Sequence, residues 1–327
     1  MHSLLVFVLH LLLLACSTRG FEKRQDASSN ITSKAGLAWP NGATASLKQF
    51  EGTGRVTWYY TWSAYPIDNN IEFVPMFWGK TSVSVWTNTA KQVLATMSPI
   101  VTAVLGMNEP ELASQANLTV QEGVDLWKTY IEPLRASGYR LGSPGPSSSP
   151  AGKVWLQDFI KACNGECTID FISTHWYGTN TTLFQQHVED YYNTFQKPLW
   201  ITEWACQDYV NVTHVCSADE ISAFMNVTQA YLDSVSYVER YAWFGAQKNL
   251  SIVDSNNAIM DDDGIIDQLG KQYINYTDAD GPIDTALPTF SASSSPTAVT
   301  DGSSGFSYSA LLCTTAVVAS QLAIYLS

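Results

Sequence analysis

Glu109 and Glu203 each close a short apolar run of strand type, Val104-Leu105-Gly106-Met107-Asn108-Glu109-Pro110 and Leu199-Trp200-Ile201-Thr202-Glu203-Trp204. An acid carried to the tip of a buried strand costs desolvation energy unless it has a partner or a reaction to perform. Two such acids are the minimum equipment for cleaving a glycosidic bond: one donates and then accepts a proton, and the other attacks the anomeric carbon from about 5–5.5 Å away. An ionised Glu203 nearby would raise the pKa of Glu109 and keep it protonated as the acid. The bland alternative makes both acids strand-end residues at the surface. Asn108, immediately before the acid, is suited to hydrogen-bond a sugar 2-hydroxyl. His175 and Tyr177 end another strand-like run and are placed to hold the nucleophile in its rotamer, a satisfied core histidine being the lesser alternative for His175. His187 and His214, in a helix and a Cys-bounded loop, receive no role.

The elements that must position these groups can be read from periodicity. Strand-like runs end near Leu37-Ala38-Trp39, Val56 to Tyr59, Phe73 to Phe77 and Val101 to Gly106. Four more are Tyr139 to Gly142, Phe171 to His175, Leu199 to Thr202 and Tyr241 to Phe244. Helical patterns lie between them over Val120 to Ala136, Val154 to Ala162, Leu183 to Phe195 and Ile221 to Val235, with apolar spacings of three and four. Ser217-Ala218-Asp219-Glu220 opens the last with a capping box. The second crossover, Tyr59 to Asn70, carries little helical signal. Eight strands alternating with helices predict an α/β fold, a (β/α)8 TIM barrel in one catalytic domain over residues 25–283.

A barrel sorts its residues by strand end, with chemistry at the C-terminal tips. Glu109 and Glu203 close strands four and seven. Glu72, Asp170 and Glu239 precede their strands, where a structural role is expected. Trp39, Trp58, Tyr59, Trp176, Trp204 and Trp243 lie at the catalytic ends and are expected to offer sugar-stacking faces, in one cluster with Trp62, Trp78 and Phe244. Trp86, Trp127 and Trp155 lie in helices and are expected in the core.

The chain ends and cysteines bear on compartment. Leu4 to Ala15 is apolar and followed by small residues, the pattern of a signal peptide over residues 1–20. Lys23-Arg24 offers dibasic processing of residues 21–24. Residues 284–302 form a Ser/Thr-rich linker, and 303–327 match a glycolipid-anchor signal, with small residues at Gly302, Ser303 and Ser304 before the apolar run Ala310 to Leu326; a tail-anchored span is the alternative. Cys16 and Cys313 would leave with these segments. Cys163–Cys167 and Cys206–Cys216 are then the preferred disulfides in an oxidising compartment. Cys163 and Cys167 also have metal-ligand spacing, but no His is suitably placed, and neither a metal nor another cofactor is expected. Sequons at Asn30, Asn117, Asn180, Asn211, Asn226, Asn249 and Asn275 suit a glycosylated surface. With 17 basic against 30 acidic residues the net charge is −13, which disfavours a nucleic-acid partner. Low charge with 11 Trp and 16 Tyr suits a neutral, sugar-like ligand. A monomer is expected, touching a membrane only through its anchor.

Asn108-Glu109-Pro110, Thr202-Glu203-Trp204, Ser173-Thr174-His175-Trp176-Tyr177-Gly178 and Leu37-Ala38-Trp39-Pro40 together resemble the fungal proteins of glycoside hydrolase family 128, over about residues 35–280. That family includes alkali-sensitive linkage proteins of the cell wall and endo-β-1,3-glucanases. The resemblance implies a retaining hydrolase of cell-wall β-1,3-glucan on a barrel, with Glu109 as acid/base and Glu203 as nucleophile. The sequence departs from the family at Glu111, where Asp often follows Asn-Glu-Pro. Two other functions remain open at this stage: a wall-anchored glucan-binding or adhesion protein with little turnover, and a β-1,4- or β-1,6-glucanase.

Overall fold

The computed structural model describes residues 33–287, leaving out 53, 68, 98–100, 210, 212–213 and 278–281. The expected leader, processing site and anchor signal, most of the linker, and the Asn30 sequon lie outside the described residues.

Eight parallel strands are separated by helical segments, except that the second and third follow one another directly. They are β1 (Ala35–Ala38), β2 (Val56–Tyr60), β3 (Glu72–Phe73), β4 (Ala103–Val104), β5 (Arg140–Leu141), β6 (Ile172–Tyr177), β7 (Leu199–Ala205) and β8 (Val238–Trp243). Six form one sheet in the order β3-β2-β1-β8-β7-β6, and β4 pairs with β5. Single parallel bridges, Met76 to Leu105 and Gly142 to Phe171, join the two sets at either side. The architecture is therefore α/β with parallel pairing between all its named strands. Strand β7 is buried along its whole length, as a strand covered on both faces must be.

The helices explain themselves locally. After α1 (Val83–Val85) and α2 (Lys91–Thr96), the segment expected as one helix over Val120 to Ala136 is α3 (Val120–Leu126), a π turn Trp127–Ile131 and a 3-10 turn Glu132–Ser137. Pro133 has no N–H to donate to the carbonyl four residues earlier, which accounts for the regular ladder giving way here. Helix α4 (Pro150–Cys163) starts four residues earlier than its apolar pattern, because Ser149 caps the Gly152 N–H and Pro150 suits the first turn. Helix α5 (Thr181–Phe195) is capped by Asn180, and α6 (Ala218–Ser234) carries the expected Ser217–Glu220 capping box. A short α7 (Gln268–Tyr273) follows β8. Between β2 and β3 no helix forms among the described residues. That loop is tied instead by the Tyr59 hydroxyl, which donates to the Ile67 carbonyl and accepts the Ile67 N–H.

At the N-terminal strand ends, acids and arginines pair. Arg240, 4% exposed, donates to Glu72 at 2.6 Å and lies 4.5 Å over the Trp200 ring. Arg140 binds Glu239, which also accepts the Trp200 indole N–H, and Arg135 binds Asp170. The three acids assigned to this end are thus ion-pair partners. Trp58 packs on Trp200 and crosses Gly36 so closely that a Cβ there would lie 2.2 Å from the indole. Both expected disulfides, Cys163–Cys167 and Cys206–Cys216, are present.

The aromatic expectation needs correction. Trp39, Trp58, Tyr59, Trp204 and Trp243 are all 0% exposed and have no face open to a ligand. For Trp204 alternation along the strand is the reason, since the residue beside an inward-facing acid points to the other side of the sheet, whereas Trp58 shares its face with Tyr60 and is buried under Tyr60 and Trp200. Trp204, next to Glu203, donates its N–H to Thr228 of α6 and packs against Trp243 and Tyr241. Trp243 bonds the Asn257 carbonyl, and Trp39 the Gly42 carbonyl. Trp176, half-buried beside His175, rests on Phe184 and His187 of α5. Trp86, Trp127 and Trp155 are in the core as expected.

Candidate active site

Glu109 follows β4 at a backbone φ of +38°, a left-handed conformation that costs a non-glycine residue on the order of 1 kcal/mol or more. The surrounding backbone over-determines it. The Glu109 N–H donates to the Gly145 carbonyl at 2.8 Å, the Asn108 N–H to the Trp78 carbonyl at 3.0 Å, and the Leu112 N–H to the Glu109 carbonyl at 3.1 Å. Glu111 adds a brace, since its longer side chain accepts the Ser147 N–H at 2.8 Å and ties the loop after β4 to the loop after β5.

Glu203 is aimed by an irregularity in β7. Thr174 of β6 pairs with Ile201, but the next residue, His175, pairs with Glu203, so Thr202 is an extra residue on β7. Such a bulge turns the following side chains and is a device for re-aiming one residue without moving the strand. It sets Glu203 across from His175, fully buried. Both Glu203 oxygens are claimed: Trp62 Nε1 donates to Oε1 at 2.8 Å, and the Tyr177 hydroxyl donates to Oε2 at 2.5 Å.

His175 lies between the two acids. Its Nδ1 is 2.9 Å from Glu109 Oε1 and 3.5 Å from Glu203 Oε2. One oxygen of each acid and one ring nitrogen of His175 all fall within 4.8 Å of one another. Burial pushes the Glu109 carboxyl up, the His175 hydrogen bond and charge pull it back, and Glu203 and Glu111 raise it again, leaving it at about 7. Burial opposes a charge on His175, but Glu203 and Glu109, with Glu111 behind them, outweigh it and hold the imidazole above its ordinary range. The Tyr177 and Tyr60 hydroxyls are pushed well up, by burial first and then by the carboxylates, so both remain donors. The site therefore offers a carboxyl that can keep a proton near neutral pH beside a carboxylate fixed by two donors.

Glu109, His175 and Glu203 also have the spacing of a metal-ligand trio among the described residues. A cation there would have to displace the N–H and O–H donors already on Glu203, so the donor set suits proton transfer better than metal binding. Asn108 stands beside the pair with Nδ2 on Gln115 Oε1 at 3.3 Å and its Oδ1 buried without a protein partner, free to meet a hydroxyl. Of the residues singled out from sequence, Glu109, Glu203, Asn108, His175 and Tyr177 thus come together, and the six aromatic platforms do not. Trp62, which the sequence places only in the wider cluster of strand-end rings, joins the residues that do. Its φ of +52° in the loop after β2 swings its indole onto Glu203, and no periodicity encodes that. Trp62, Phe244, Tyr177 and Tyr209 form a chain of ring contacts at 5.4–5.8 Å, and Trp62 and Tyr177 in it donate to Glu203.

Residues 36–273 match the family model described as glycosyl hydrolase catalytic core. Alkali-sensitive linkage protein 1 of Schizosaccharomyces pombe is 32% identical over 253 residues, which are 76% of this chain and 45% of that protein. The chain thus matches less than half the length of that curated relative. Among solved structures, a family 128 curdlan-specific exo-β-1,3-glucanase from Blastomyces gilchristii, in complex with glucose, is similar at a TM-score of 0.61 and 29% identity, over 74% of this chain and 98% of that one. A family 128 endo-β-1,3-glucanase from Amycolatopsis mediterranei, in complex with laminaritriose, is similar at a TM-score of 0.58 and 31% identity, over 74% of this chain and 97% of that one.

Proposed function

The chain belongs to the glycosyl hydrolase catalytic core family, and on that premise we propose that it is a retaining hydrolase of β-1,3-glucan, with Glu109 as acid/base and Glu203 as nucleophile. The observation that carries this reading is the approach of the two buried carboxylates, with one oxygen of each within 4.8 Å of the other. A retaining pair stands about 5–5.5 Å apart, whereas an inverting pair leaves room for water at about 6.5–9.5 Å. The division of roles follows from environment: Glu109 can keep a proton near neutral pH, while two donors hold both oxygens of Glu203 in place. Glu109 would protonate the departing oxygen as Glu203 attacks the anomeric carbon, then deprotonate the water that releases the glycosyl ester. Asn108 Oδ1 would take the sugar 2-hydroxyl.

The β-1,3 linkage rests on the solved relatives, which are β-1,3-glucanases by description. In this proposal the eight strands close as a (β/α)8 barrel, supported by the bridges Met76–Leu105 and Gly142–Phe171. Export and a glycolipid anchor, read from residues 1–20 and 303–327, complete it as an enzyme of the cell surface. Purified protein lacking the tail should release short oligosaccharides from β-1,3-glucan and far less from β-1,4- or β-1,6-glucan. Equal cleavage of cellulose would overturn the linkage. Folded protein that binds β-1,3-glucan and forms no product would make the site one for adhesion.

A further inference from the structure

The face of His175 turned away from the acids is unaccounted for. Its Nε2 is buried and has no protein partner, and the same holds for Ser173 Oγ and Thr202 Oγ1. These residues are 0%, 2% and 1% exposed. Leaving three buried polar atoms unpaired is costly, and a fold keeps them only if something satisfies them. All three residues converge on Gly145. A Cβ placed there would lie 3.4 Å from His175 Nε2, 3.4 Å from Ser173 Cβ and 3.8 Å from Thr202 Oγ1, at ordinary contact distance. The glycine leaves that volume open beside the His175 ring nitrogen, the Thr202 hydroxyl and the Ser173 Cβ, whose unpaired Oγ is one bond further on.

We propose that Gly145, Ser173, Thr202 and His175 form a buried socket for one ordered water, whose oxygen accepts a hydrogen bond from the His175 Nε2–H and which donates to the two hydroxyl oxygens. Three polar partners are what a buried water usually has. The bulge that aims Glu203 supplies one of them, since Thr202 is the extra residue on β7. A water on Nε2 keeps that nitrogen protonated, so Nδ1 and Glu109 Oε1, 2.9 Å apart, share the proton that the reaction moves. Ser173, Thr202 and Gly145 are thus positioning residues that act through His175. The other titratable groups facing the imidazole are Glu109, Glu203 and Glu111 from the loops and strand around it, Tyr177 on its own strand, and His187 of α5 behind it. The socket stands on the geometry alone; its effect on turnover rests on the function proposed above.

Without the water a charged His175 becomes less favourable, so Glu109 loses a cationic neighbour and its carboxyl pKa rises. Gly145→Ala fills the socket without a clash, and Thr202→Val removes one partner at constant shape. Each should move the alkaline limb of the kcat/KM against pH profile upward by about half a pH unit or more, while Thr202→Ser should keep the wild-type profile. A crystal structure of the full chain should show one water within hydrogen-bonding distance of Nε2, Ser173 Oγ and Thr202 Oγ1, absent in Gly145→Ala. Nitrogen-15 spectra of the histidines should show Nε2 of His175 protonated in the wild type. Absence of that water, a direct bond from Ser173 or Thr202 to Nε2, or profiles unmoved in folded Gly145→Ala and Thr202→Val would overturn the proposal. Should the protein prove inactive on every glucan, the density and the spectra still decide the socket independently.

Discussion

Replacing Trp62 by Phe removes one of the two hydrogen bonds that fix Glu203, the 2.8 Å bond from Nε1 to Oε1, and leaves the 2.5 Å bond from Tyr177. The smaller ring can still occupy the site between Tyr60 and Phe244, whose ring centroids lie 4.8 and 5.8 Å from that of Trp62. A hydrogen bond to a charged group is worth about 1.5–3 kcal/mol, and each 1.4 kcal/mol is tenfold in rate. Held by one donor instead of two, the carboxylate can leave its attacking rotamer. We expect kcat/KM on a β-1,3-oligosaccharide to fall by about 10- to 100-fold, with a melting temperature lower by only a few degrees. The assay is initial-rate hydrolysis with a thermal melt on the same sample. Activity within about twofold of wild type in stably folded Trp62→Phe would refute the claim that the indole fixes the nucleophile.

The pH behaviour of Glu109 gives a second expectation. Its folded pKa of about 7 lies above the ordinary 4.5, so its contribution to stability is complete below about 4.5 and is lost as pH rises through 7. Glu109→Gln has no proton to lose, and its chemical-denaturation stability should gain on wild type by up to about 3 kcal/mol between pH 4.5 and 8; a constant gap would show that the carboxyl is not held protonated. In wild type the same titration should set the alkaline limb of kcat/KM near pH 7, and a limb governed by another group would survive in variants that move Glu109's pKa. Arg240→Ala leaves Glu72 without its arginine and should cost roughly 3–5 kcal/mol in urea unfolding, while specific activity of the folded fraction holds, because that pair lies at the opposite strand ends. Deleting Ala310 to Ser327 should release the protein to the medium, and unchanged surface retention would remove the anchor from the proposal.

The pair of acids was legible because strand periodicity and chain length are written in consecutive residues. Each run that ends on Glu109 or Glu203 is apolar for its own local reason, and eight such runs in alternation with helices have few ways to fold. The sugar platforms were misread for an equally physical reason. Counting rings near strand ends ignored the period of two, which sends Trp204 and Trp176 to the helix side whenever Glu203 and His175 point inward. The bulge at Thr202 and the positive φ of Trp62 and Glu109 were beyond reach, because they are set by pairing and packing among distant segments. The Glu111 departure from the family pattern acquired a meaning only when its reach to the Ser147 N–H was seen.

The central claim is that Glu109 and Glu203 act by double displacement on one anomeric carbon. Proton NMR of the first products from a soluble β-1,3-oligosaccharide, recorded before mutarotation, tests it most directly. Double displacement predicts that the newly formed reducing end appears first as the β anomer and only later equilibrates. An α anomer formed first would mean single displacement by water, and would contradict the nucleophile assigned to Glu203.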